Sequence, residues 1–232
     1  MLSCQTQAQS ARMDHIFVPI LPMRKGLVTT SDRYRLSFTT GGLFLQEAPL
    51  IATRYLALRD WAQTREQVRA ENLLQVRTAA TATRVSQELI ARLELLDFEE
   101  LQYLTEANSR EQGYLLWSAA CRRYIFIRDF AQEVLREHYL SLRGRLTASD
   151  YDTFCNAKAL WHTELDAIAP STQSKLRQNL FRMLREADLI SAQLRMQPAL
   201  LTPPLARLLA RHGHEPLLVF PATDHDMQWW LQ

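Results

Sequence analysis

The residues with the clearest chemistry lie between Ser171 and Asp188. Lys175, Gln178, Arg182 and Arg185 recur at spacings of three, four and three, which sets them on one face of a helix, with Arg177 and Asn179 flanking. Leu176, Leu180, Met183, Leu184 and Ala187 follow the same period on the other side and form its core face. Cations suit phosphate oxygens, while planar amides and guanidinium groups suit the edges of bases, so the face has the makings of a nucleic-acid contact. The pattern suits an ordinary solvated amphipathic helix equally well. Ser171 or Thr172 stands where the helix should be capped. Beyond it, Leu189-Ile190-Ser191-Ala192-Gln193-Leu194-Arg195-Met196 is short enough to turn back as a small hairpin before Pro198. A helix followed by such a ribbon has the layout of a winged helix, and Arg195 would sit on the wing near a flanking phosphate.

Other reactive side chains make weaker patterns. Cys155 and His162 are seven residues apart, two turns along a helix, and a nucleophile and its base need direct hydrogen-bond reach. His212-Gly213-His214 with His225 follows no metal-ligand spacing and reads as an exposed turn. Thr39-Thr40-Gly41-Gly42 ahead of a helix can point backbone N–H groups at a phosphate, but it lacks the lysine and length of a phosphate-binding loop and reads as a tight turn. Trp229-Trp230 suits base stacking, a partner contact or docking of the tail on the core. Trp61, Trp117 and Trp161 sit in apolar patterns and read as core. No catalytic residue, metal ligand or cofactor is expected.

Composition narrows the setting. The 232 residues are 47% apolar and 22% charged, enough for one large core or two small ones, and disorder throughout is excluded. Six glycines and an abundance of Leu, Ala, Gln, Glu and Arg favour helices, so the expected fold class is mainly α: a helical bundle with helix-turn-helix or winged-helix-like modules and a small β wing. Three cysteines, Cys4, Cys121 and Cys155, suit neither a disulfide framework nor a zinc site. Charges interrupt every long apolar run, and the apolar stretch Ile16 to Leu21 is too short and too polar at its flanks for a secretory signal, which points to a cytoplasmic protein without a membrane span. A formal net charge of +2 does not announce a nucleic-acid binder, but its distribution is uneven: from Ser171 to Arg211, seven cations face only Glu186 and Asp188.

Residues 1–33 lack helical periodicity and read as a loose leader, with Met23 as an alternative start. Tyr34 to Phe38 alternates like a short strand before Gly41-Gly42. Helical patterns then run from Leu43 to Arg59 despite Pro49, from a cap at Thr64, and from Thr78 with Val85, Leu89, Leu93 and Leu96 buried and Arg84, Glu88 and Arg92 on the surface. Such short helices with tight joints resemble a helix-turn-helix unit. After Phe98 to Ala107, a soft boundary at Asn108-Ser109 divides an N-terminal domain, 34–108, from a C-terminal winged-helix-like domain, 109–232. The second opens with one long central helix, about Glu111 to Leu142, ended by Gly144; a helix capped by Ser149 follows and stops at Pro170.

The chain resembles the BrxA family of bacteriophage exclusion (BREX) systems from Tyr34 to Pro221. The likeness is carried by Tyr34-Arg35-Leu36-Ser37-Phe38-Thr39-Thr40-Gly41-Gly42-Leu43, Asn72-Leu73-Leu74-Gln75 with Arg77-Thr78, Leu116-Trp117, and Cys121-Arg122-Arg123-Tyr124. Lys158-Ala159-Leu160-Trp161-His162, Ser171-Thr172, Lys175-Leu176-Arg177-Gln178 and Leu180 to Ala187 continue it, while the residues before Tyr34 have no counterpart. The resemblance implies a non-enzymatic accessory component of a multi-protein antiviral system, related in architecture to the helical antitermination factor NusB and associated with DNA binding. The expectation is weakly sequence-specific DNA binding through Lys175, Arg177, Gln178, Asn179, Arg182, Arg185 and Arg195. The alternatives are an adaptor docking other BREX proteins, and an RNA binder in the manner of NusB.

Overall fold

The computed structural model of the chain describes residues 33–75 and 78–232. The expected leader, Met23 and Cys4 lie outside them. The described part is mainly helical, in the order α1 (Glu47–Leu58), α2 (Trp61–Ala70), α3 (Ala79–Leu93), α4 (Phe98–Glu106), α5 (Ser109–Arg123), α6 (Ile125–Phe130), α7 (Glu137–Leu140), α8 (Ala148–Ala159), α9 (Thr163–Asp166), α10 (Pro170–Glu186), α11 (Pro203–Ala210) and α12 (Asp224–Trp230). A π-helical stretch, Ala131–Arg136, joins α6 to α7, and a 3-10 turn, Glu215–Leu217, precedes α12. No described helix is long and apolar enough to cross a membrane.

Local side chains start half of these helices. Asp60 accepts the N–H groups of Ala62 and Gln63, Asn108 those of Arg110 and Glu111, and reciprocal capping boxes pair Asp97 with Glu100, Thr147 with Asp150 and Thr223 with Asp226. Thr78 caps α3 as its position predicts. The other three expected caps move. Thr64 lies inside α2, because Asp60 stands four residues earlier and binds two orphan N–H groups; Thr147 rather than Ser149 opens α8; and α10 begins at Pro170, whose missing N–H costs nothing in a first turn. Pro49 likewise falls in the first turn of α1 and leaves it unbroken.

Helix α5 is the central element, buried without interruption from Gly113 to Cys121. Gly113 lets the end of α10 come close: a β-carbon there would stand 3.1 Å from the Glu186 carbonyl oxygen and 3.5 Å from Ala187 Cα. The single long helix expected from Glu111 to Leu142 is broken at Tyr124, whose backbone is extended at φ −124°, ψ 98°. The break turns the Tyr124 ring toward Phe38, 5.2 Å between centroids, and sends its hydroxyl to Glu88 at 2.5 Å. Side chains from both sides of Asn108-Ser109 share one buried core, and Arg33–Gln232 forms one compact unit.

Four other expectations are corrected. Tyr34 to Phe38 is not a strand: side chains take the place of a neighbouring strand, with Asn179 Nδ2 donating to the Phe38 carbonyl at 3.0 Å and the Tyr34 N–H donating to Glu164. Arg92 is not on the surface but 1% exposed, its Nε bonded to Glu88 at 2.7 Å and its Nη1 to the Gly42 carbonyl at 2.7 Å. Trp117 is core, and Trp61 is half-buried against Tyr55, but Trp161 is 79% exposed in the turn after α8. The expected β wing is present only as a turned-back segment. Its antiparallel bridges, Ile190 with Met196 and Arg145 with Arg195, are isolated, and no β-sheet occurs among the described residues.

Replacing Glu88 by alanine strands the Arg92 charge in the core and should destabilise the protein by about 3–5 kcal/mol, whereas the paired change Glu88→Leu with Arg92→Met should cost much less. Urea unfolding of the two variants measures the difference.

Candidate nucleic-acid interface

Helix α10 positions the candidate residues. Leu176, Leu180, Met183 and Leu184 are buried, which fixes the rotation of the helix and turns the polar face outward. Beside that face runs a groove of about 520 Å³, lined by Ser171, Lys175, Arg177, Gln178 and Arg185 from α10, by Ala148 at the start of α8, and by Phe181 and Leu194 as an apolar floor. It brings together four of the seven predicted residues. Lys175 is exposed and donates to Gln178 Oε1 at 3.1 Å, which holds the pair side by side. Arg185 is exposed, and its side chain makes no hydrogen bond or ion pair within the described chain.

The remaining predicted residues serve other ends. Arg177 lines the groove, but its guanidinium is held by both carboxylate oxygens of Asp152 at 2.8 and 2.9 Å. Arg182 lies outside the groove lining and bonds Glu186 at 2.7 Å. Asn179 is a correction to the polar-face pattern: it is 3% exposed, and its amide supports Phe38 from within the core. Its position between Gln178 and Leu180 puts it at the edge of the apolar face, where an asparagine needs an internal partner. Arg195 sits on the turned-back segment next to Leu194 and is exposed, its side chain without a partner among the described residues.

Sequence reasoning missed Arg145. It lies in the link before α8, outside any periodic pattern, and meets Arg195 only through the antiparallel bridge between them. The turn presenting Arg195 is held by Ser191 Oγ, which accepts the N–H groups of Gln193 and Arg195, each at 3.2 Å. Leu194 within it adopts φ 60°, a left-handed conformation that disfavours a leucine by about 1–2 kcal/mol.

The other candidates resolve into structure. Burial pushes the Cys155 thiol up, and its partners are Tyr151 and Gln173, while His162 stacks on Tyr34 at 3.8 Å and faces Glu164. At Thr39-Thr40-Gly41-Gly42 the anion is the protein's own: Glu186 accepts the Leu43 N–H at 2.5 Å, and a β-carbon on Gly42 would stand 2.0 Å from that carboxylate. Trp230 is buried, whereas Trp229 is exposed. Among the described histidines, His212 alone joins a potential ligand set, with Asp97 and Glu100, all ligand atoms within 4.8 Å of one another. Glu100 is already engaged there by Arg122, at 2.7 and 2.5 Å, and by the Asp97 N–H. Partial burial acts to raise the Asp97 carboxyl, but the Glu100 N–H, Arg211 and His212 outweigh it and hold the group below its usual value.

Comparison with known proteins accords with this architecture. A solved structure of an uncharacterized protein from Magnetospirillum magneticum shares the fold at a TM-score of 0.71, with 22% identity, covering 81% of this chain and 97% of that one. The chain is 27% identical over 180 residues to the BREX protein BrxA of Escherichia coli O9:H4 (strain HS), covering 77% of this chain and 84% of the relative. It is 26% identical over 159 residues to the BREX protein BrxA of Paramagnetospirillum magneticum (strain ATCC 700264 / AMB-1), covering 68% and 80%. The family model for BrxA matches residues 32–213, so this helical protein belongs to the BrxA family.

Two measurements check the assignments of individual residues. Asn179→Ala should lower stability by about 1–3 kcal/mol, because it orphans a buried carbonyl, while Arg185→Ala should stay within about 0.5 kcal/mol of the parent. Because the Asp97 carboxyl is depressed in the folded state, its charge stabilises above the unfolded-state value and ceases to do so as pH falls through the folded one. Asp97→Asn keeps the cap and removes the charge, so its deficit in urea unfolding should be full near neutrality and vanish on acidification below pH ~4.

Proposed function

We propose that this chain is a non-enzymatic component of a BREX phage-defence system that binds nucleic acid, duplex DNA first, in the groove along α10. The two relatives named BREX protein BrxA support the defence setting. The observation that carries the binding reading is electrostatic. Among the described residues, some arginines are neutralised, as in Arg54–Glu71, Arg122–Glu100 and Arg136–Asp224, and others such as Arg84 and Arg207 stand unpaired and scattered, whereas Lys175, Arg185, Arg195 and Arg145 have no carboxylate within ion-pair distance and cluster at the groove and the segments beside it. Uncompensated cations gathered along one groove attract a polyanion and release its counterions, which supplies affinity without sequence preference. Gln178 is the one unburied amide of the predicted set, so base reading is slight and specificity weak.

A second reading, an adaptor that docks another protein, is favoured by the exposed Leu160-Trp161 turn and by Trp229. Large apolar side chains in solvent suit a protein contact better than a phosphate.

Fluorescence titration of duplex DNA, single-stranded DNA and RNA at several salt concentrations separates these readings. The parent should bind duplex DNA with affinity that falls steeply with salt, and Lys175→Glu with Arg185→Glu should lose at least tenfold and flatten the dependence by about two counterions. Unchanged affinity in a folded double variant rejects the groove. Retained nucleic-acid affinity with lost co-purification of defence proteins in Trp161→Ala or Trp229→Ala supports the adaptor role alongside it.

A further inference from the structure

We propose that Arg145 and Arg195 form a dedicated phosphate clamp at the end of the α10 groove, an inference that deepens the nucleic-acid reading and rests on it for the identity of the polymer. The backbone register sets the pair. Met196 N–H donates to the Gly144 carbonyl at 3.1 Å and Leu146 N–H to the Leu194 carbonyl at 2.9 Å, one bond on either side of Arg145 and Arg195. The two arginines therefore oppose each other at a non-hydrogen-bonded position, where Cα atoms approach to about 4.5 Å and side chains come closest. Like charges directly opposite in this way destabilise a pairing. Both side chains are exposed, and neither has a carboxylate partner among the described residues.

The surrounding chain preserves this repulsion. Leu146 and Ile190 anchor the paired segments in the core, Ser191 pins the turn, and the left-handed Leu194 commits the backbone to it. Arg145 Nη2 is aimed by the Gln193 carbonyl at 3.1 Å, while the guanidinium of Arg195 has no hydrogen-bond partner among the described residues. Two planar forks set opposite each other by a fixed backbone register, with no carboxylate beside them among the described residues, have the donors for two-sided, bidentate capture of a phosphate. Leu194, adjacent to Arg195, lines the groove with Lys175 and Arg185, so the clamp stands next to the groove that holds those cations. The clamp reads backbone charge and no base.

Arg145→Gln, Arg195→Gln and the double variant test this with two probes. With inorganic pyrophosphate, the parent should melt several degrees higher and the double variant should not shift; without it, each single variant should melt at or above the parent, because a repulsion has been removed. With duplex DNA, each single variant should reduce the salt slope by about one counterion and affinity by severalfold. A double variant that keeps both the pyrophosphate shift and the full salt slope overturns the clamp. If that happens while Lys175→Glu with Arg185→Glu still abolishes DNA binding, the clamp alone has failed. If the parent binds no nucleic acid but the pyrophosphate shift depends on the two arginines, the clamp stands as a site for free phosphate and the groove reading falls.

Discussion

Arg92 carries its charge into the core at 1% exposure, and four parts of the chain are arranged around it. Glu88, one turn earlier on α3, takes its Nε; Gly42 of the N-terminal loop takes Nη1; Met183 of α10 lies 3.9 Å from Nη1; and the ring of Tyr124, where α5 ends, stands under the guanidinium. Tyr124 closes the circuit by donating to Glu88. Burying an ion is costly unless it is paired and bonded, and with Nη2 left without a partner among the described residues the bonds of Nε and Nη1 carry that compensation, so these distances leave little freedom to the elements that supply them. The break after α5, the path of the loop before α1 and the rotation of α10 all meet the same condition.

A second set of polar contacts ties α10 to that loop. Asn179 holds the Phe38 carbonyl and Glu186 holds the Leu43 N–H, so one edge of the helix does for the extended N-terminal segment what a neighbouring strand would do. The consequence is a division of labour around one helix. Its apolar face and the edge bearing Asn179 and Glu186 build the fold, while Lys175, Gln178 and Arg185 are left to the groove. Arg182 and Arg177 fall between these roles, each neutralised by a carboxylate of the chain. A protein that stabilised itself by every available ion pair would have no such groove; Lys175, Arg185, Arg145 and Arg195, without an ion pair among the described residues, lie where α10, the link into α8 and the turn at Leu194 converge.

Much of the secondary structure was legible in the sequence by local rules. The cap at Thr78, the joint at Asn108-Ser109, the helix of Phe98 to Glu106 and the apolar face of α10 follow from periodicity and from side chains that satisfy the first N–H groups of a helix. The cationic face was legible too, since Lys175, Gln178 and Arg185 needed only a helical period to be placed together. What misled was the assumption that charge marks the surface. Asn179 and Arg92 fit polar positions on a helical wheel, yet each bonds a carbonyl more than fifty positions away or at that separation, and no local pattern carries such information. Trp161 misled in the opposite sense, because its apolar neighbourhood in sequence ends in a turn that faces solvent.

The sequence by itself determined that the chain is helical, that one face of the segment after Pro170 is cationic, and that its motifs are those of the BrxA family. These properties depend on residues within a few turns of one another. Tertiary structure alone decided which of the cations remain unpaired and which segments share the groove with them. Arg177 meets Asp152 across 25 positions, and Arg145 meets Arg195 across a bridge between two irregular segments. Whether a charge is neutralised depends on what packs beside it, and packing between distant segments is set by the common core, not by the local spacing of residue types.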